Sequence, residues 1–258
     1  MAIQRLYGHD LDQTIQNRKR LLQNRNLLFW YECLYADLFR SIADIDRKRI
    51  LEIGSGTSPL KIFLPHVITS DILKLDYLDI IFDCHDIRNC KQIPNNSIDI
   101  ITLTNVLHHL SDPIRFLCEA TTKLSHGGFL FLVEPYFSAL SYPLYKILHP
   151  EATSFNCAHP ILDDVHGPLS SSNQAIPYMI FFSRQDWLRR LSAHYDLEKT
   201  HVEYFSSLAY MATGGISRIF PCPHALYRRL FTFDKRFAAR FPRLFASFFT
   251  ARLISNND

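Results

Sequence analysis

The 258-residue sequence has no stretch approaching the ~20 consecutive apolar residues needed to cross a bilayer. Its opening segment, MAIQRLYGHDLDQ, has no apolar core of the kind a secretory signal needs, so no such signal is expected. Its six cysteines, Cys33, Cys84, Cys90, Cys118, Cys157 and Cys222, form no C-x-x-C pair. That spacing argues against a zinc site and against a disulfide framework, and free thiols in a reducing cytosol are the expectation. Internal repeats and low-complexity tracts are absent. A charge excess is nearly absent too: 28 basic against 25 acidic residues give +3, which by itself argues for neither nucleic acid nor membrane. What is present is enough apolar material for a sizeable core, 47% of residues against 21% charged. The length fits one α/β domain with an added cap or small subdomain.

Residues 10–45 read as one or two helices, because Leu21, Leu22, Leu28, Phe29, Leu34 and Leu38 recur roughly at helical spacing. The period then changes. Five short apolar runs follow: RILEIG (49–54), HVITSD (66–71), LDIIFD (78–83), SIDIITLTN (97–105) and GGFLFLVEP (127–135). Runs of this kind suit strands buried on both faces. Between the last two, SDPIRFLCEATTKL (111–124) predicts a helix capped by Ser111, with Pro113 in its first turn and Ile114, Leu117, Cys118 and Thr121 on one face. Strands alternating with helices imply right-handed crossovers and a parallel sheet. The stretch 136–180 is rich in Pro, Tyr, His and Ser and has few periodic runs. A segment that long is usually functional or disordered, and its aromatics favour an ordered loop. Beyond it, SRQDWLRRLSAHY (183–195) predicts a helix capped by Ser183, and DLEKTHVEYF (196–205) a strand. Residues 223–241 predict a helix ended by Pro242, and LFASFFTARLI (244–254) a last strand.

The segment LEIGSGTSP (51–59) carries the chemistry. A strand ends and Gly54 and Gly56 follow, which lets the backbone turn sharply and approach a ligand closely. Ser58 is the expected N-cap, and Pro59 the first residue, of a helix whose free amides face the same ligand. So far any nucleotide-type cofactor fits. A dinucleotide fingerprint, however, needs a third glycine where Pro59 stands and an acidic residue ~20 positions on, and Asp71 comes sooner. Glu52 adds a carboxylate near the strand end, favourable beside a cationic sulfonium-bearing amino acid and unfavourable beside a pyrophosphate.

In this order and spacing the residues resemble the class I S-adenosylmethionine (SAM)-dependent methyltransferases, clearly over 48–135 and weakly over 183–205. Glu52-Ile53-Gly54-Ser55-Gly56 is similar to the family's glycine motif, with Ser58 where a third glycine is customary. The resemblance implies that Asp71, followed by Ile72, holds the ribose hydroxyls. It places Asp86 and Ile87 at the adenine edge, with Asp83 competing for that role. Asp99 marks the start of the fourth strand, and Asn105 and Val106 open a segment, running to Leu110, that lines the methionine end. The fold implied is α/β: a Rossmann-like, mostly parallel seven-stranded sheet with helices on both faces. Around a SAM-binding core at 48–135 the chain divides into an N-terminal helical cap (1–47), a lid and substrate insert (136–182) and a C-terminal part (183–258).

Direct in-line methyl transfer needs alignment and exclusion of water, and a base only when the acceptor is a hydroxyl or a protonated amine. His109, His108 and Tyr136 are the candidate catalytic residues. Adjacent histidines point different ways, so at most one of the pair faces substrate. Glu134 and Tyr136 follow the fifth strand at the carboxyl edge, where open α/β sheets bind ligands. The insert holds His149, His159, His166, Asp163 and Asp164 without H-x-H or H-x₃-H spacing, so no metal is expected.

Over 218–252 eight basic residues, Arg218, Arg228, Arg229, Lys235, Arg236, Arg240, Arg243 and Arg252, meet one acid, Asp234. Leu226, Leu230, Phe233, Phe237 and Phe241 share one helical face, and Arg229, Arg236 and Arg240 another. An ordinary amphipathic helix with a solvated basic side accounts for this; contact with an anionic lipid surface or a phosphate-bearing substrate is the alternative. The expected acceptor is a small molecule or a glycan- or lipid-linked group. No N/D-P-P-Y/F motif follows the fourth strand, which weighs against base methylation and nucleic acid. A cytoplasmic location is expected, with peripheral membrane contact through the basic helix as the further expectation. Two rivals stay open: a non-catalytic SAM-binding assembly protein, and an NAD-dependent reductase that Pro59 disfavours.

Overall fold

Two helices, α1 (Gly8–Gln23) and α2 (Arg25–Leu38), precede the sheet and meet at Asn24, whose side chain accepts from the Leu27 amide and caps α2. The computed structural model describes residues 7–148, 151–162 and 165–257. The strands are β1 (Ile50–Ile53), β2 (Ile68–Asp71), β3 (Ile80–Ile81), β4 (Ile98–Thr104), β5 (Leu124–Pro135), β6 (His201–Phe205) and β7 (Phe248–Ile254). They form one seven-stranded sheet in the order β3-β2-β1-β4-β5-β7-β6. Strands β1 to β5 run parallel, and β7 lies antiparallel between β5 and β6. This is the mostly parallel Rossmann-like sheet that the alternation of apolar runs implies.

Side-chain alternation assigns the two faces. Ile50, Ile100, Phe129, Phe131 and Phe248 meet Trp30, Tyr31 and Leu34 of α2 on one face. Leu51, Ile53, Ile101, Leu103, Leu130 and Leu132 point to the other, which α3 (Pro113–Ala120) and the 176–191 segment cover. Pairing slips between Ile98 and Ile100, and Ile98 therefore joins the second face despite its even spacing from Ile100.

Local expectations are corrected in several places. Asp112, not Ser111, caps α3: with Pro113 in the first turn, the Asp112 carboxylate reaches the Arg115 amide at 2.9 Å. Pro59 stands at the cap position of a single helical turn, Leu60–Phe63, and the Ser58 hydroxyl accepts the Leu60 amide at 3.1 Å. Ser183 caps nothing; it closes a π-type turn, Met179–Ser183, that continues the helical turn Ala175–Tyr178. The insert also contains a helix, α4 (Ser141–Leu148). Strand β3 shrinks to two residues because the Asp79 side chain takes the Thr69 amide and hydroxyl, each at 2.8 Å. The C-terminal helix, α5, spans His224–Arg240, and a turn over Pro242–Phe245 delays β7 to Phe248.

Trp30 ties three of these elements together. It is fully buried, donates its ring N–H to Ser206 Oγ at 3.0 Å, and Ser206 in turn donates to Asp234 of α5 at 3.1 Å. Trp30→Ala is therefore expected to lower the unfolding free energy by about 3–5 kcal/mol in urea titration. A loss below about 1 kcal/mol would show that α2 is not part of the cooperative core.

Candidate cofactor and acceptor site

The loop after β1 is built by close packing. Gly54 has φ +72°, and a Cβ there would lie 2.4 Å from Val106 Cγ2, so only glycine suits the position. A Cβ on Gly56 would lie 2.8 Å from Thr14 of α1 and 2.9 Å from the Asp71 carboxylate. Asp71, at the end of β2, accepts the Gly56 amide on one oxygen and the Leu73 amide on the other, both at 2.9 Å. Burial pushes its carboxyl up, against the pull of those amides. Ile72 beside it is half-buried. Ser55 is buried and turned inward, its hydroxyl donating to Glu52 O and accepting the Ser70 amide.

Glu52 is fully buried. Its Oε1 accepts from Ser58 Oγ at 2.5 Å, and Ser58 is itself 3.0 Å from the Tyr35 hydroxyl of α2. Its Oε2 is buried with no hydrogen-bond partner among the described residues, and so is Oδ1 of Asn105. Burial raises the Glu52 carboxyl to about 7, although Ser58 and the Arg18 guanidinium pull it down. Asn105 follows β4 at φ 55°, a left-handed position that Asn tolerates. Two orphaned buried oxygens beside a glycine loop fit a ligand that brings N–H donors and positive charge. The ammonium and sulfonium of SAM are such groups.

The residues expected at the adenine edge share one short helical turn, Cys84–Asn89, capped by Asp83, but differ in exposure. Ile87 is fully buried in the core under β4, which leaves its backbone as the part that can face a ligand. Asp86 is exposed and accepts from Asn89 at 2.6 Å. The Asp83 carboxylate is engaged by the His85 amide and ring at 2.9 and 2.8 Å, which holds it below the usual range. Asp99 lies at the opposite end of β4 and accepts the Arg49 amide at 2.8 Å, a turn acceptor.

At the carboxyl ends of β4 and β5 a second set converges. Glu134 is fully buried and its Oε1 accepts the amides of Val106 and Leu107 at 3.0 and 2.7 Å. Its Oε2 holds Nδ1 of His108 at 2.5 Å, while His108 Nε2 lies 3.1 Å from Glu151 Oε2. Burial alone would lower the His108 pKa, but the two carboxylates raise it to about 10. His109 goes the other way: burial and the neighbouring His108 cation lower it to about 4. Its Nδ1 donates to Ser171 O at 2.9 Å and its Nε2 lies 3.9 Å from Glu151 Oε1.

Ligand atoms of His108, His109 and Glu151 lie within 4.8 Å of one another, as do those of Asp83, Cys84 and His85. A cation at the first group would have to displace a proton that His108 holds up to about pH 10. His149, Asp163 and Asp164 lie outside the described residues. Tyr136 is buried among Tyr178, Phe182 and Tyr204, and burial raises its phenol to about 12, so it is neutral at pH 7.

Sequence reasoning did not find the residues that close the site. Arg18 of α1 donates to Ser58 O at 2.8 Å and lies over the Tyr77 ring, and Tyr77 donates to Gly56 O at 2.5 Å. Asp10 of the same helix accepts the Leu169 amide at 3.0 Å and the Ser170 hydroxyl at 3.2 Å. Helix α1 thus bridges the glycine loop and the insert. Nothing in its spacing marks Arg18 or Asp10 out from other polar residues of an amphipathic helix.

The sheet order, the glycine loop between β1 and β2, and the acceptors ringing it define a Rossmann-like cofactor-binding fold. Residues 27–211 match a family model described as a methyltransferase domain, and the chain belongs to that family, the class I methyltransferases, with SAM as cofactor. Among solved structures, a SAM-dependent methyltransferase from Thermotoga maritima aligns over 99% of this chain and 99% of its own, at 13% identity and TM-score 0.52. Another from Archaeoglobus fulgidus covers 87% and 94%, at 15% identity and TM-score 0.48. No curated protein matches. No helix among the described residues is long and apolar enough to cross a membrane.

Two pH effects follow. Because Glu52 titrates near 7, SAM should bind about tenfold more tightly at pH 8 than at pH 6, measured by calorimetry, and Glu52→Gln should flatten the profile. A flat wild-type profile would remove Glu52 from the cation's surroundings. His108, whose folded pKa exceeds the unfolded one, contributes stability that is complete below about pH 6.5 and is lost as pH rises toward about 10. Its imidazole nitrogens should read as a cation at pH 8 by NMR while those of His109 read as neutral.

Proposed function

We propose that the protein moves the methyl group of SAM to a hydroxyl on a small-molecule, glycan- or lipid-linked acceptor, with His109 receiving the proton. SAM supplies an electrophilic methyl on a sulfonium, so the protein's task is alignment and the handling of one proton. The observation that carries this reading is the split between adjacent histidines. His108 is held as a cation by Glu134 and Glu151, while His109 is neutral, with Nδ1–H committed to Ser171 O and a basic Nε2. A base that titrates near 4 is weak toward an alcohol. It suffices toward an oxygen that is already gaining a methyl, because that oxygen becomes a strong acid as the bond forms. Glu151, 3.9 Å from His109 Nε2, would stabilise the resulting imidazolium. Tyr178, Phe182 and the buried Tyr136 form an aromatic cluster just beyond the end of β5.

Calorimetry with SAM and its demethylated product, followed by methyl-release assays on hydroxyl-bearing sugars and lipid-linked sugars, tests the proposal. His109→Ala is expected to lower kcat by about 10²–10⁴ while SAM affinity stays within about twofold. Full turnover in that variant would dismiss the base. Tight SAM binding without turnover on any acceptor would favour the assembly-protein reading instead.

A further inference from the structure

Helix α5 packs on the body through Tyr227, Phe231 and Ala238, all buried, and through Asp234, whose carboxylate accepts the Ser207 and Leu208 amides, each at 2.7 Å. A second apolar stripe on the same helix is turned to solvent. Leu226, Leu230, Phe233 and Phe237, continued by Phe241 and Leu244 of the following turn, are each 45–58% exposed. At helical pitch the first four fall within roughly 60° of arc. Along the border of this stripe away from the body stand Arg229, Arg236 and Arg240, all exposed, with Arg243 beyond them. The single acid of the segment, Asp234, faces inward.

We propose that this face of α5 docks onto an anionic phospholipid surface, apolar stripe inserted and arginines at the phosphates. A stripe this apolar and this exposed marks an interaction site, and its charge border selects the partner. Arginines without exposed acids complement anionic headgroups. A second copy of the chain is disfavoured, because antiparallel pairing of two such stripes sets one arginine row against the other. Position adds to the case. The turn after α5 binds the segment leaving β5, Ala139 N to Arg243 O at 3.0 Å and Leu140 N to Leu244 O at 3.1 Å. Helix α4 in that segment exposes Ile147 at 76%. The carboxyl edge holding Glu134 and His108 thus adjoins the docking face, as a lipid-linked acceptor would require.

Docking is read without turnover, so its failure leaves the methyl-transfer proposal standing. The full chain is sedimented with vesicles of phosphatidylcholine alone or with about 25% phosphatidylglycerol. Expected is binding to the anionic vesicles, at least tenfold weaker on pure phosphatidylcholine and weakened by salt. F233S/F237S and R229E/R236E should each lose at least tenfold while keeping the wild-type melting temperature and SAM affinity. Those residues touch neither core nor cofactor loop, so the variants remain folded controls. No binding to anionic vesicles, binding that survives both double variants, or a concentration-dependent dimer in light scattering that F233S/F237S abolishes would each overturn the proposal.

Discussion

Glu134 is a fully buried carboxylate at the carboxyl end of β5, and such a group is tolerated only when its lone pairs are filled. Three donors fill them: the amides of Val106 and Leu107 and the ring of His108. Those bonds fix the path leaving β4. Asn105 takes a left-handed turn with its side-chain oxygen buried, Val106 is laid against Gly54, and His108 is pinned beside the end of β5. The floor of the cofactor loop and the first of the two adjacent histidines are therefore one hydrogen-bonded unit. A neutral, smaller residue at 134 would release three buried donors together.

The same unit explains why His108 and His109 differ. His108 is fully buried and His109 largely so, and burial alone disfavours charge in each. His108 has carboxylates on both ring nitrogens, so attraction outweighs desolvation. His109 has a backbone carbonyl on Nδ1, and burial together with the His108 cation outweighs the upward pull of Glu151, 3.9 Å from its Nε2. At neutral pH a cationic imidazole thus stands next in sequence to a neutral one. The sequence H-H shows two equivalent candidates; the roles come from Glu134 and Glu151, which are 26 and 43 positions from His108.

What could be read from the sequence was whatever depends on local pattern. The apolar runs place the central strands because β1, β4 and β5 are buried on both faces, and the turn after β1 declares itself because Gly54 holds a left-handed backbone position against Val106. Strand lengths were less legible. Side chains such as Asp79 take over ladder bonds that a periodicity argument assigns to backbone. Least legible were the residues that approach from distant segments. Tyr35 and Ser58 carry a hydroxyl relay to Glu52 across 23 positions, and Arg18 reaches the Ser58 carbonyl across 40. Each is an ordinary polar residue of its own helix or loop until the fold brings it to the site.

The C-terminal helix shows the same limit in a sharper form. Periodicity finds an apolar face on α5 and a basic one, and the economical assumption buries the apolar face. The helix carries two apolar stripes, however, and the shorter one, Tyr227, Phe231 and Ala238, is the one that packs. What decides between them is the lone acid. Asp234 lies on the side of Tyr227 and Phe231, and its carboxylate satisfies two amides at 207 and 208 that would otherwise be unpaired at the end of β6. Rotating the helix to bury Phe233 and Phe237 would leave those amides without an acceptor and expose the tyrosine whose hydroxyl donates to Ala209 O at 3.1 Å. Backbone hydrogen bonding thus outranks apolar area in setting this helix's orientation, and the larger apolar stripe is left facing outward.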